Sequence, residues 1–170
     1  TEIPKPLHHR PVGRIRPDPE NVLEAAKLLA KAERPVIVAG GGVILADASQ
    51  ELVGLAEFIG APVVTTLMGK GAIPEDHPLS AFYAGAKGSD VGNKVTREAD
   101  VIIAIGMRFS DQSTSSYKPG VTYSIPPTKL VQVDIDPCEI GKNYPTEIGV
   151  VGDAKTVLSD LLEALKKMVR

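Results

Sequence analysis

The residues of this chain with chemistry to offer are mostly glycines, a few aspartates and one arginine, and they sit directly after short apolar runs. Gly40, Gly41 and Gly42 follow Pro35-Val36-Ile37-Val38-Ala39, and Thr66, Leu67, Met68, Gly69 and Gly71 follow Val63-Val64-Thr65. Gly106 and Arg108 follow Val101-Ile102-Ile103-Ala104-Ile105, Asp134, Ile135 and Asp136 follow Leu130-Val131-Gln132-Val133, and Gly152 and Asp153 follow Ile148-Gly149-Val150-Val151. Glycine, having no β-carbon, lets phosphates or rings approach backbone N–H groups closely. Arg108 can pair with a phosphate or stack on a ring. Asp134 and Asp136 fall on one side of an extended chain and can accept hydrogen bonds from a ribose or an adenine. Together these residue types suit nucleotide binding. Each also has a plainer reading: a ligand-free turn for the glycines, a turn cap before Pro137 for the aspartates, and a surface salt bridge for Arg108.

Two standard nucleotide motifs are absent. The dinucleotide fingerprint asks for G-x-G-x-x-G with an acidic residue about 20 positions on. Here Leu45 stands in the third glycine place, and the second apolar run ends in Thr65-Thr66 without a carboxylate, which disfavours an ordinary nicotinamide dehydrogenase. The triphosphatase loop fails because Lys70 is followed by Gly71 instead of Ser or Thr, and Val64 replaces the leading glycine. No histidine pair has metal-ligand spacing, since His8 and His9 lie among prolines and His77 precedes Pro78. No G-x-S-x-G elbow is present, and the single Cys138 reads as a small packed side chain. The expectation is a chain with no catalytic residue and no metal site of its own.

These positions share a role only if the apolar runs are strands and the segments between them helices. Asp18 can cap a helix that begins at Pro19, with Val22, Ala26 and Leu29 at helical spacing, running to about Ala32. A second helix spans about Ser49 to Ile59 and stops at Gly60, a third runs from a Ser89 cap to about Glu98, and Asp153 caps a last helix with a Val157, Leu161 and Leu165 stripe. Residues 67–74 read as a glycine-bearing loop followed by an irregular stretch. Strands buried on both faces that alternate with helices define an α/β, three-layer, Rossmann-like domain: a mostly parallel sheet with helices on both faces. In such sheets ligands sit beyond the carboxyl ends of the strands.

The 170 residues suffice for one domain, and 43% apolar with 24% charged residues is globular composition. A net charge of -2 and a pI of 5.9 argue against nucleic acid. One cysteine, no apolar stretch of spanning length and no signal-like start predict a cytoplasmic protein that does not enter a membrane. The absence of an initiator Met predicts a piece of something longer. Residues 1–18, rich in proline and carrying Arg10, Arg14 and Arg16, read as an interdomain linker, either frayed or strapped to a protein surface.

Four segments in register, Arg34 to Gly42, Pro62 to Pro74, Ala99 to Phe109 and Val133 to Pro137, resemble the central domain of thiamine diphosphate-dependent enzymes of the acetolactate synthase type. The resemblance covers residues 19–170. It implies a sheet of about six strands between a pyrimidine-binding and a pyrophosphate-binding domain of one parent chain, a homo-oligomeric carboligase or decarboxylase. Thiamine diphosphate and Mg2+ would be bound outside this stretch, and the stretch alone would be inactive. It further implies an FAD or ADP site contacted by Gly40, Gly41, Gly42, Thr66, Leu67, Met68, Arg108, Asp134, Ile135, Gly152 and Asp153. The chain departs from the family pattern at Gly85-Ala86-Lys87-Gly88, where a histidine is usual, and at Gln112, where a second arginine is usual. These departures imply that such a ligand is weakly held or absent. The competing expectations are a self-standing nucleotide-binding module and a spacer domain with an empty cleft.

Overall fold

The computed structural model describes residues 13–168. Among them the strands are β1 (Pro35–Ala39), β2 (Val63–Thr65), β3 (Ser80–Tyr83), β4 (Val101–Ile105), β5 (Lys129–Asp134) and β6 (Ile148–Val151). All pair in parallel, in the order β3-β2-β1-β4-β5-β6. The helices are α1 (Pro19–Ala30), α2 (Gly41–Leu45), α3 (Ser49–Ile59), α4 (Asp90–Glu98), α5 (Asp111–Thr114) and α6 (Ala154–Met168). The strand order reverses direction between β1 and β4, which places a crevice at their carboxyl ends.

Side chains alternate across the sheet. Ile37, Ala39, Val63, Ile103, Ile105, Val131 and Val133 join one core under α1, α3 and α6, with Val22, Leu29, Leu52, Leu55, Leu158 and Leu161 packed in. On the opposite face Val36, Val38, Val64, Ile102, Ala104 and Leu130 meet Phe109, Tyr123, Ile125 and Tyr144, with Val95 of α4 packed against them. The second face is thus covered by one helix and by chain segments that buried polar groups hold in place. Gln132, buried in β5, donates to Glu139 O at 2.8 Å and accepts from Gly141 N at 2.9 Å and Thr146 Oγ1 at 3.0 Å. Its amide has these three partners, so its burial is compensated.

Local signals fix the helix ends. Asp18 Oδ1 accepts from Glu20 N at 2.8 Å, Ser89 Oγ accepts from Gly92 N at 2.9 Å, and Gly60 closes α3 at φ +64. At the other end of the sheet Asp100 accepts from Glu33 N at 2.7 Å and Arg34 N at 2.9 Å, tying the entry of β1 to the start of β4. Burial raises the Asp100 carboxyl, but these N–H bonds outweigh it and hold the group below its ordinary value.

Three local expectations are corrected. β3 falls in the stretch read as irregular: it is a four-residue edge strand whose register with β2 shifts and whose Phe82 has φ +60, so no apolar run or clean alternation marks it. The turn after β1 is the first turn of α2. Cys138 is exposed, not packed, because the 3-10 turn Pro137–Glu139 carries it on the surface. The linker expectation covers residues 1–18, of which 1–12, including His8, His9 and Arg10, lie outside the described residues. Residues 14–17 run against α6. Ile15 O accepts from Asp153 N at 2.9 Å and from Thr156 Oγ1 at 3.0 Å, and Pro17 is buried. Among the described residues no helix is long and apolar enough to cross a membrane.

Leu161 is fully buried between α1, α3 and the sheet while Lys166 of the same helix is exposed. Leu161→Ala is expected to lower the unfolding free energy by about 2–5 kcal/mol and Lys166→Ala by less than about 0.5 kcal/mol. Urea denaturation followed by far-ultraviolet dichroism measures both; equal small shifts would mean that α6 is not docked.

Candidate functional site

The carboxyl ends of the strands enclose a cleft of about 860 Å3. Its floor is backbone. Gly42 and Gly106, at the ends of β1 and β4, approach so closely that a β-carbon on Gly106 would lie 2.5 Å from Gly42 Cα, and one on Gly42 would lie 2.6 Å from Gly106 Cα. Gly42 N donates to Gly106 O at 3.0 Å across this contact, and Gly106 has φ +59. No side chain fits there, and the backbone conformation also favours glycine.

The turn after β2 forms one wall. Thr66 Oγ1 accepts from Gly69 N at 3.1 Å and Thr66 N donates to Ala39 O at 2.9 Å, so the 3-10 turn Leu67–Gly69 lies over the end of β1. Leu67 and Met68 then project into solvent, 72% and 76% exposed. Leu45 of α2 and Ile135 after β5 add to the same apolar rim, at 91% and 53%. Apolar side chains this exposed around a concave backbone floor suit a flat ring system or a partner surface.

The turn after β4 presents a cation. Met107 and Phe109 point inward and Arg108 outward. Phe109 sits edge-on to Tyr123 and Tyr144, with ring centroids 5.5 and 5.1 Å away, and its carbonyl accepts from Tyr117 Oη at 2.7 Å. Asn143 Nδ2 donates to Arg108 O at 2.8 Å. The backbone of residue 108 is thus pinned by Asn143 and Phe109, while its guanidinium has no hydrogen-bond or ion-pair partner among the described residues. Burial raises both tyrosines that flank Phe109, Tyr144 up to about 12.

Lys87, for which sequence position gave no argument, reaches the cleft on the Gly85–Gly88 turn after β3. Gly85 N donates to Asn93 Oδ1 at 2.9 Å and Ala86 N to Gln112 O at 3.0 Å, which fixes that turn. Neither Lys87 nor Arg108 has a carboxylate within 4.0 Å among the described residues. The cleft carboxylates follow β5 and β6, next to the Arg108 turn and at the opposite edge of the sheet from Lys87. Asp134, half-buried after β5, is raised above its ordinary value by burial, against the N–H groups of Asp136 and Ile135. Its Oδ1 accepts from Asp136 N at 3.0 Å. Asp136 caps the following turn, accepting from Cys138 N at 2.9 Å, and does not line the cleft. Asp153 caps α6, accepting from Lys155 N at 3.1 Å, and pairs with Arg14.

Of the sequence-predicted residues, Gly41, Gly42, Thr66, Leu67, Met68, Arg108, Asp134, Ile135, Gly152 and Asp153 line the cleft. Gly40 stands behind the wall, buried against Gly106 and Met107. Lining residues that sequence reasoning did not bring to the site include Leu45, Tyr83 and Ser113, while Lys87 and Gln112 entered that reasoning only as departures from the family pattern. Tyr83 belongs to the overlooked edge strand. Among the described residues no group of three His, Cys, Asp or Glu side chains could hold a metal ion.

A six-stranded parallel sheet of this order, with its cleft where the order reverses, defines a doubly wound α/β domain of the Rossmann type. Residues 22–161 match the family described as "Thiamine pyrophosphate enzyme, central domain", and the chain belongs to that family. It is 54% identical over 147 residues to the "Probable acetolactate synthase large subunit" of Methanocaldococcus jannaschii, covering 86% of this chain and 24% of the relative. It is 43% identical over 158 residues to the acetolactate synthase large subunit of Corynebacterium glutamicum, covering 93% and 24%. The chain spans about a quarter of the length of these relatives. A solved structure from Mycobacterium smegmatis, described as a thiamin diphosphate-dependent enzyme, superposes with a TM-score of 0.73 at 29% identity, covering 92% of this chain and 30% of that one.

The glycine contact supports a quantitative expectation. Gly106→Ala forces a side chain into the left-handed region and against Gly42, whereas Gly120→Ala imposes only the first strain, since Gly120 has φ +86 and nothing within 4 Å of the added carbon. Gly120→Ala is expected to lower stability by about 1–2 kcal/mol, and Gly106→Ala by at least about 2 kcal/mol more. Urea midpoints of the two variants measure the difference; equal midpoints would mean that the β1–β4 contact yields freely.

Proposed function

We propose that this chain serves as the central domain of a larger thiamine diphosphate-dependent carboligase or decarboxylase of the acetolactate synthase type, a cytoplasmic homo-oligomer. It supplies a nucleotide-shaped cleft and no catalytic group. Thiamine diphosphate and Mg2+ are bound in the parent by its pyrimidine-binding and pyrophosphate-binding domains. The family match and the acetolactate synthase relatives support the parent's class. One observation carries the role of the cleft: a backbone floor bared by the Gly42–Gly106 contact faces two cations, Arg108 and Lys87, that pair with no carboxylate among the described residues, under an apolar rim.

The cleft fits an adenine nucleotide, ADP or the FAD dinucleotide. Its volume lies within the roughly 300–1,000 Å3 of small-molecule sites. Gly41 and Gly42 give a phosphate close approach, Arg108 can meet a diphosphate, and Asp134 with Ile135 would receive the adenosine end. Thr66, Leu67 and Met68 would cover the ligand, and Gly152 and Asp153 would close its far side. A bound flavin would supply a redox-active ring, which Leu67 and Met68 would shield from water. Both cations are solvent-exposed and Gln112 is neutral, so the diphosphate gains less than it would from two arginines. One charge-assisted hydrogen bond, about 1.5–3 kcal/mol, corresponds to roughly ten- to a hundredfold in affinity.

The chain is therefore expected to purify colourless and to bind ADP weakly, with Gly41→Asp lowering that binding further while circular dichroism stays unchanged. The added β-carbon meets Met68, its Cβ 3.1 Å and its carbonyl oxygen 3.4 Å away, so a shift of a few tenths of an ångström in the Leu67–Gly69 turn accommodates it while the carboxylate enters the cleft. A ligand-observed NMR titration measures the binding; ADP binding that ignores Gly41→Asp, or none by the unaltered chain, would overturn the assignment and leave a spacer domain.

Calorimetry of this chain with thiamine diphosphate and magnesium is expected to give no saturable heat. Saturable binding in the micromolar range would contradict the division of labour.

A further inference from the structure

We propose that Arg14, on the segment that precedes the domain, is a positioning residue for the cleft: it neutralises Asp153 at the β5–β6 end, so that an anionic ligand lying along the cleft with its adenosine there is not repelled. This rests on the nucleotide reading given above. Arg14 itself does not line the cleft.

Four contacts join residues 14–17 to the turn that follows β6. Arg14 Nη1 donates to both carboxylate oxygens of Asp153, at 2.8 and 2.9 Å. Ile15 O accepts from Asp153 N and from Thr156 Oγ1, and Pro17 lies over Gly152, where a β-carbon would come within 3.2 Å of Pro17 N. Gly152 and Asp153 are also cleft wall. Each wall residue of this turn therefore has the preceding segment behind it and the cleft in front.

The charge balance gives the contact its meaning. Asp153 and Asp134 are the carboxylates among the cleft-lining residues; Asp134 follows β5, next to the strand that carries Arg108, while Asp153 follows the edge strand β6, two strands from Arg108 and farthest from Lys87. The Asp153 side chain is only 12% exposed and pairs, among the described residues, with Arg14 alone. Nearby Lys155 is turned to Asp47 and Glu51 instead, at 3.4 and 3.6 Å. Without Arg14 this carboxylate would keep the N–H groups at the start of α6 but lose its cationic partner, and a phosphate-bearing ligand would feel the remaining negative charge. A neutral ligand would not. As an N-cap alone, Asp153 could be replaced by Asn without loss to α6. The ion pair with Arg14 is thus what distinguishes the aspartate from an ordinary cap.

The test is a ligand-observed NMR titration of the 170-residue chain with ADP and, separately, with adenosine. Arg14→Ala is expected to weaken ADP about three- to tenfold and to leave adenosine unchanged. Adding Asp153→Asn to Arg14→Ala should restore ADP binding, Arg14→Lys should retain most of it, and 1 M salt should shrink the effect. If ADP and adenosine weaken together and Asp153→Asn rescues neither, Arg14 is merely structural and the proposal falls. It falls equally if Arg14→Ala changes nothing. If the unaltered chain binds neither ligand, the nucleotide reading itself is overturned and this inference with it. Should Arg14→Ala fail to fold by circular dichroism, Arg14→Lys with and without Asp153→Asn gives the same comparison.

Discussion

The structure depends on a contact between two stretches of bare backbone. Where β1 and β4 end, Gly42 and Gly106 come closer than any pair of residues with side chains can, and an N–H···O bond of 3.0 Å joins them. A parallel sheet whose strand order reverses between two neighbours must send its chain in opposite directions from that point, and a crevice results. How deep and how polar the crevice becomes depends on what fills its floor. Here nothing fills it, so peptide groups form the floor and the adjoining turns supply all remaining character.

Each of those turns is held from behind. The Arg108 turn is anchored by Phe109 in an aromatic cluster and by Asn143, the Leu67–Gly69 turn by Thr66, the Lys87 turn by Asn93, and the Gly152–Asp153 turn by the segment that precedes the domain. The exposed functional side chains thus project from rigid backbone, which limits the entropy a ligand must remove on binding. Charge is divided along the sheet, with cations after β3 and β4 that pair with no carboxylate among the described residues, and carboxylates after β5 and β6. This polarity gives an elongated ligand a preferred direction. It also makes Arg14 part of the site's electrostatics although it stands outside the cleft.

Much of this was legible in the chain. Five of the six strands announce themselves as apolar runs, four of them, β1, β2, β4 and β5, because interior strands of a parallel sheet are buried on both faces, and the helix caps at Asp18, Ser89 and Asp153 are local hydrogen-bond devices that depend on near neighbours only. β3 was not legible: a short edge strand with one neighbour and a register shift has no alternation to display. For the same reason Lys87 entered the sequence reading only as a departure from the family pattern, since a residue placed by an unseen strand has no positional argument. The two readings of Asp134-Ile135-Asp136 were separated only by three-dimensional placement, which gives Asp136 to a turn cap and leaves Asp134 on the cleft wall.

The sequence by itself determined the α/β class, the alternation of elements and the positions after each strand where a ligand site would form, because burial pattern and capping are written in neighbouring residues. It also carried the family resemblance, through four segments in register. Tertiary structure decided which of those positions meet. It moved Gly40 behind the wall, set Gly42 against Gly106, aimed Lys87 into the cleft and laid Arg14 on Asp153, 139 residues away. Such pairings depend on how crossovers stack strands that are distant in sequence, and no local propensity encodes that distance.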